Sequence, residues 1–178
     1  MGGGYCAHQA ESLMVDTALY RKIFLFQDLK EEELQQVLER TASREYPGGS
    51  IILNEGEPGD SMFIMGQGEV EITKKLTLAL DEDTPKERVM IRLKAEDGVS
   101  FGEMALLEDE ARSATVTALT DCLLLELSRE EFMALIHQNQ TMGLKLLLRL
   151  AQLLSRHLRK TNADVVKLTT ALAISLGG

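Results

Sequence analysis

The residues best suited to chemistry lie in one stretch. It runs Phe101-Gly102-Glu103-Met104-Ala105-Leu106-Leu107, then Glu108-Asp109-Glu110-Ala111, then Arg112-Ser113-Ala114-Thr115-Val116. Its texture is that of a strand ending at a glycine, a single helical turn, a short acidic loop, and a strand that begins with an arginine. The free N–H groups at the start of such a turn attract an anion. Gly102 permits close backbone approach, and the planar fork of Arg112 suits phosphate oxygens. Glu103 is out of place beside an anion unless it accepts a hydrogen bond from a sugar hydroxyl of the same molecule. Anion, sugar and adjacent apolar strands together describe a nucleotide.

Other chemistries find little support. Three scattered histidines (His8, His137, His157) and two cysteines (Cys6, Cys122) make neither a disulfide framework nor a histidine-rich or four-ligand metal site, so no metal is expected. His157 stands between Arg156 and Arg159 and reads as a surface or seam histidine without a catalytic partner. Cys122, before Leu123-Leu124-Leu125, reads as a core thiol. Ser155 and Ser175 are too isolated to serve as nucleophiles. No enzyme is expected. The rival to weigh is a β-roll that holds a catalytic metal, and the shortage of histidine opposes it.

The elements that position this stretch divide the chain by texture. Residues 10–40 read as helical, with the apolar cluster Ile23–Phe26 and then Leu34, Val37 and Leu38 among good helix formers. Residues 41–128 are punctuated by Pro47-Gly48-Gly49, Glu55-Gly56, Pro58-Gly59-Asp60, Gly66-Gln67-Gly68 and Asp97-Gly98. Short β-type runs lie between: Ser50–Leu53, Ser61–Met65, Glu69–Thr73, Arg88–Leu93, Ser113–Ala118 and Asp121–Leu127. Closely spaced turns between short strands predict an antiparallel barrel or double-sheet roll. The acidic, proline-containing Asp81–Lys86 reads as an exposed hairpin loop. Ser128 and Glu131 form a capping box that opens a helix through about Ile136. After Asn139 comes one long helix. Leu147, Ala151, Leu154, Leu158, Thr161, Val165, Leu168 and Leu172 alternate there in steps of four and three, the spacing of a two-helix seam. This predicts a homodimer, the alternative being that the stripe packs on the chain's own barrel, and Thr161 is the polar anomaly in the seam.

The expected class is therefore α+β, mainly β: an antiparallel barrel or double-sheet roll flanked by N-terminal helices and a long C-terminal helix. The expected division is an N-terminal segment 1–19, a β-roll with flanking helices at 20–138, and a dimerisation or capping helix at 139–178. The 178 residues are 44% apolar, ample for one core and too apolar for disorder. No apolar run approaches the roughly 18 residues that span a bilayer. The start, MGGGYCAHQAE, lacks a secretory apolar region, so a cytoplasmic location is expected. The net charge is −9. Residues 139–178 carry six cations and the anion Asp164, net +5, leaving −14 on an acidic body that repels nucleic acid.

F-G-E-M-A-L-L followed by R-S-A-T-V resembles the phosphate-binding cassette of the cyclic nucleotide-binding domain family, of the catabolite activator protein and protein kinase A regulatory subunit type. The resemblance covers roughly residues 20–168. Upstream, Gly49, Ile52, Gly56 and Gly59 fit the family's glycine pattern, and Phe63-Ile64 precede Gly66 and Gly68 as they do there. The resemblance implies that the roll is a double-stranded β-helix, a jelly-roll-like β-roll, in a bacterial-type regulatory protein with cAMP as ligand. Gly102 and the N–H groups of Glu103, Met104 and Ala105 would hold the cyclic phosphate, Glu103 the ribose 2′-hydroxyl, and Arg112 and Ser113 the phosphate. Ile72 would pack on the base. On the long helix, Thr161 would contact adenine and Asn162 the neighbouring subunit's ligand. Ser113 in place of Thr leans towards cAMP over cGMP. Ala111 replaces a frequent proline, and Glu108-Asp109-Glu110 would oppose an anion unless turned outward. The chain ends near Leu176, so no DNA-binding domain is expected, and the downstream protein is unnamed. The competing expectation is a dimerisation module of the same fold that binds no ligand.

Overall fold

The computed structural model describes residues 17–75 and 87–176. The loop expected at Asp81–Lys86, most of segment 1–19, and Cys6 and His8 lie outside the described residues.

The helical texture of residues 10–40 resolves into α1 (Thr17–Lys22) and α2 (Glu31–Glu39), with a 3-10 turn at Phe24–Phe26 between them. The break follows from the apolar cluster. Ile23, Leu25 and Phe26 are all buried, and no single face of one continuous helix carries all three. α2 starts where the Lys30 N–H donates to the Glu33 carboxylate at 2.7 Å. It buries Leu34, Val37 and Leu38 at helical spacing, as the sequence predicts.

Eight strands follow among the described residues: β1 (Ala42–Tyr46), β2 (Ile51–Leu53), β3 (Ser61–Gln67), β4 (Glu69–Lys75), β5 (Glu87–Lys94), β6 (Ser100–Phe101), β7 (Thr115–Ala118) and β8 (Cys122–Ser128). They form two four-stranded antiparallel sheets, ordered β1-β8-β3-β6 and β2-β7-β4-β5. This is the jelly-roll-like roll, mainly β with helices at both ends, that the closely spaced turns predict. β1 is an addition to the predicted strands, whereas β6 is the strand expected to end at Gly102. β1 is an edge strand whose Ala42-Ser43-Arg44-Glu45 is exposed, so it carries no apolar alternation. β6 is two residues long.

Strand alternation explains why β3 is buried on both faces. Met62 and Ile64 face a core shared with the helices, together with Leu125 and Leu127 of β8. Phe63 and Met65 face the space between the sheets, with Leu124, Val70, Val116 and Phe101. The phenyl rings of Phe63 and Phe101 stack at 5.6 Å there.

α3 (Arg129–Gln138) is capped by Ser128, whose hydroxyl accepts the Glu131 N–H at 3.2 Å. α4 (Gln140–Leu176) follows after the single residue Asn139, whose side-chain oxygen accepts the Met142 N–H at 3.1 Å. The two helices cross backbone to backbone, since a methyl group on Gly143 would lie 2.9 Å from the Ile136 Cα. The first half of α4 buries Met142, Leu146 and Leu150 against α3 and the N-terminal helices. Phe24 lies beneath the guanidinium groups of Arg149 and Arg156, at 4.8 and 3.9 Å. From Arg156 onward every described residue of α4 is exposed. No helix of the described residues is long and apolar enough to cross a membrane.

Candidate ligand-binding site

Gly102 closes β6 with φ 80° and ψ 13°, a left-handed conformation that disfavours any side chain. The chain then makes a 3-10 turn at Glu103–Leu106. Ala105 N–H donates back to the Gly102 carbonyl at 3.2 Å. The N–H groups of Glu103 and Met104 have no acceptor among the described residues. Leu106 is fully buried and anchors the turn to the core, while Met104 is half exposed.

Arg112 approaches from the other side. Its backbone is strapped to the 54–60 loop: Arg112 N–H donates to the Glu57 carbonyl at 2.8 Å, and Gly56 N–H to the Arg112 carbonyl at 2.9 Å. Its guanidinium donates to the Ser61 carbonyl at 2.7 Å and to the Ser61 hydroxyl at 3.3 Å. Ser61 donates in turn to Glu126 at 3.0 Å, and Arg44 reaches the other oxygen of Glu126 at 2.8 Å. Burial pushes the Arg112 guanidinium below its ordinary value, while Asp60 and Glu126 oppose the shift. Arginine remains a cation under such pressure, so Arg112 is a partly desolvated positive charge.

Between the turn and Arg112 lies a cavity of about 330 Å³. Leu53, Ile72, Ile91, Leu93 and Val116 form its apolar wall from the β2-β7-β4-β5 sheet. Gly102, Glu103, Met104, Ala105, Arg112, Ser113 and Ile72, all expected in the site, line this cavity. Thr161 and Asn162 do not. They sit exposed on α4, beyond His157 and Lys160, which are the residues α4 contributes to the lining. Glu108 and Glu110 also line the cavity, whereas the Asp109 side chain points outward and lies 3.3 Å from Arg129. Glu108 and Glu110 are therefore the two loop acids that border the cavity.

Two participants escaped the sequence reading. His157 Nδ1 lies 3.3 Å from Glu103 Oε1. The hydrogen bond to Glu103 raises the His157 pKa, and burial and Lys160 oppose it less strongly. Its signal was helical spacing: His157 precedes Thr161 by four residues and shares its face. Arg129, at the start of α3, rivets the turn. Its guanidinium donates to the carbonyls of Ala105 and Glu108 at 2.6 Å each, and to the Gly59 carbonyl at 3.3 Å. No group of three or more metal-ligating side chains occurs among the described residues.

Donors suited to an anion, a buried carboxylate and an apolar wall thus meet in one cavity able to take a small, flat, singly charged molecule that also offers a hydroxyl. The pattern of the cyclic nucleotide-binding domain matches residues 43–139. The cAMP-dependent protein kinase regulatory subunit of Aspergillus fumigatus is 34% identical over 119 residues, 67% of this chain and 26% of that protein. A cGMP-dependent protein kinase of Caenorhabditis briggsae is 34% identical over 122 residues, 68% of this chain and 15% of that protein. The crystal structure of Thermus thermophilus catabolite activator protein superposes with a TM-score of 0.72 at 32% identity, covering 82% of this chain and 63% of that one. This chain therefore spans about a quarter or less of the two kinase relatives.

Proposed function

The chain belongs to the cyclic nucleotide-binding domain family, and from that premise we propose that its cavity is a receptor site for a cyclic nucleotide, with cAMP preferred over cGMP. One observation carries this reading: Glu103 and Arg112 converge on a single cavity whose remaining wall is apolar. The cyclic phosphate takes the Arg112 fork and the N–H groups of Glu103 and Met104, with the Ser113 hydroxyl alongside. The ribose hydroxyl donates to Glu103. The base lies against Ile72 and its apolar neighbours, and Ser113 supports adenine over guanine. The protein acts as a receptor and not as a catalyst.

The second part of the proposal concerns assembly. Residues 20–138 sense the ligand, and residues 139–178 couple two copies and carry the output. Leu158, Val165, Leu168 and Leu172 are each more than half exposed on α4, a seam that a second copy would cover. In that dimer Thr161 closes over its own adenine, and Asn162 reaches the neighbouring copy's ligand. The altered face of α4 is then read by a downstream protein.

Glu108 and Glu110 in the lining favour a second reading, a dimerisation module of the same fold that binds no ligand. Calorimetric titration with cAMP and cGMP, on wild type and Arg112→Ala, separates the two. Micromolar or tighter cAMP binding that Arg112→Ala abolishes supports the receptor. Tighter binding of cGMP reverses the preference, and no binding of either nucleotide leaves the module.

A further inference from the structure

Glu103 is 7% exposed, and His157 is the only side chain that the described residues supply to its carboxylate. The two come from different elements: Glu103 from the turn that would hold the phosphate, His157 from α4. The contact therefore ties the helix to the residue that is to receive the sugar hydroxyl. Two charges act on His157 directly, Glu103 from the turn and Lys160 from α4 itself. Glu108 and Glu110 from the loop after the turn, and Arg112 from the approach to β7, line the same cavity. With a neutral imidazole the lining holds three carboxylates against two cations. With an imidazolium the two signs balance. An anion entering a partly enclosed, net negative cavity is repelled, and protonation of His157 removes that net charge.

We propose that His157 is a proton-linked residue of the ligand site: the imidazolium holds Glu103 in place and neutralises the lining, so that binding of an anionic nucleotide takes up a proton. This rests on the cyclic nucleotide reading above. Nδ1 faces Glu103 Oε1 at 3.3 Å in both protonation states, and the proton is taken from water at Nε2. Histidine ordinarily titrates near neutrality, and the bond to Glu103 moves His157 upward from there. The ligand's negative charge moves it further in the same direction. Affinity therefore rises as pH falls through the value in the complex, and levels off below the value in the free protein.

The test is calorimetric titration of the full chain with cAMP and cGMP at about pH 6, 7 and 8, in paired buffers of different ionisation enthalpy. Wild type takes up a fraction of a proton near neutral pH, and its affinity rises about three- to tenfold from about pH 8 to pH 6. His157→Gln keeps an N–H donor for Glu103 but cannot titrate, so it shows neither effect. Binding without proton uptake, or uptake that persists in His157→Gln, overturns this proposal alone. A chain that binds neither nucleotide at any pH overturns the receptor reading with it. NMR titration of the His157 imidazole supplies an arm free of ligand. Its pKa falls in Glu103→Gln, and an unchanged value also overturns the proposal.

Discussion

Gly59 and Arg112 are in direct contact: a methyl group on Gly59 would lie 2.0 Å from the Arg112 Nε and 2.3 Å from its Cζ. The guanidinium is thus held between the 54–60 strap and the Ser61 carbonyl, its place fixed before any ligand arrives. A glycine of the upstream pattern serves here as the floor under a charge.

Gly59→Ala should therefore act on binding more than on folding. The added methyl pushes the guanidinium off Ser61 and away from the phosphate position. Cyclic nucleotide affinity falls at least about tenfold, equivalent to about 1.4 kcal/mol, while stability changes by about 1–2 kcal/mol, the range for local overpacking. Titration and thermal unfolding on the same samples check this. Affinity equal to wild type would show that the guanidinium has room to move.

Arg112 itself separates charge from geometry. Arg112→Lys keeps the cation but loses the fork that serves Ser61 and a phosphate together. Affinity falls about 10- to 100-fold in Arg112→Lys and further in Arg112→Ala, the scale of a charge-assisted bidentate contact. Equal losses in the two variants would remove the fork from the account.

The Glu33–Lys145 pair joins α2 to α4 at 2.6 Å, well away from the cavity. Burial raises the Glu33 pKa, but the Lys145 ammonium and the Lys30 N–H outweigh it and hold the carboxyl below its ordinary value. A depressed carboxyl contributes stability that is present above the unfolded pKa of about 4.3 and is lost as pH falls through the folded value. Lys145→Met strands the Glu33 carboxylate and destabilises the fold by about 2 kcal/mol at neutral pH. Glu33→Gln combined with Lys145→Met recovers part of that loss and flattens the acid limb of the stability curve. Chemical denaturation from about pH 3 to pH 7 reads both effects.

His157 gives the opposite sign. Its raised pKa contributes stability that is fully present below the unfolded value and is lost as pH rises through the folded value. The thermal midpoint of wild type therefore falls relative to His157→Gln between about pH 6 and pH 8. Parallel curves would mean that the pair with Glu103 contributes no stability of its own.

Leu168→Glu tests the seam. Sedimentation of wild type at micromolar concentration gives a species of twice the 19.7 kDa chain mass, and Leu168→Glu gives the single chain. A wild type that sediments as a monomer at about 100 µM would place the exposed apolar residues of α4 outside any dimer.

The roll, its turns and the cassette were legible in the sequence because each rests on local rules. Gly102 needs a positive φ, Leu106 marks the buried side of one turn, and Ser128 caps a helix, although the Glu131 carboxylate expected to complete the box pairs with Arg40 instead. What escaped depends on contacts made through space. β1 is polar and exposed, and pairing with β8 alone makes it a strand. Arg129 reads as an ordinary first-turn residue, yet its guanidinium binds three carbonyls from two distant loops. His157 was legible as one face of a helix, but its meeting with Glu103 was not.

The crossing of α3 and α4 at Ile136 and Gly143, with Phe24 beneath Arg149 and Arg156, leaves the end of the long helix as a cantilevered arm. From Arg156 to Leu176 the arm is about 30 Å long at 1.5 Å per residue. A tilt of about 5° at its root would swing the tip through about 2.6 Å, close to the rise of two helical residues. α4 packs on α3, whose first residue, Arg129, is fastened to the cassette turn. A displacement of that turn passed on through α3 would be magnified at the tip of α4.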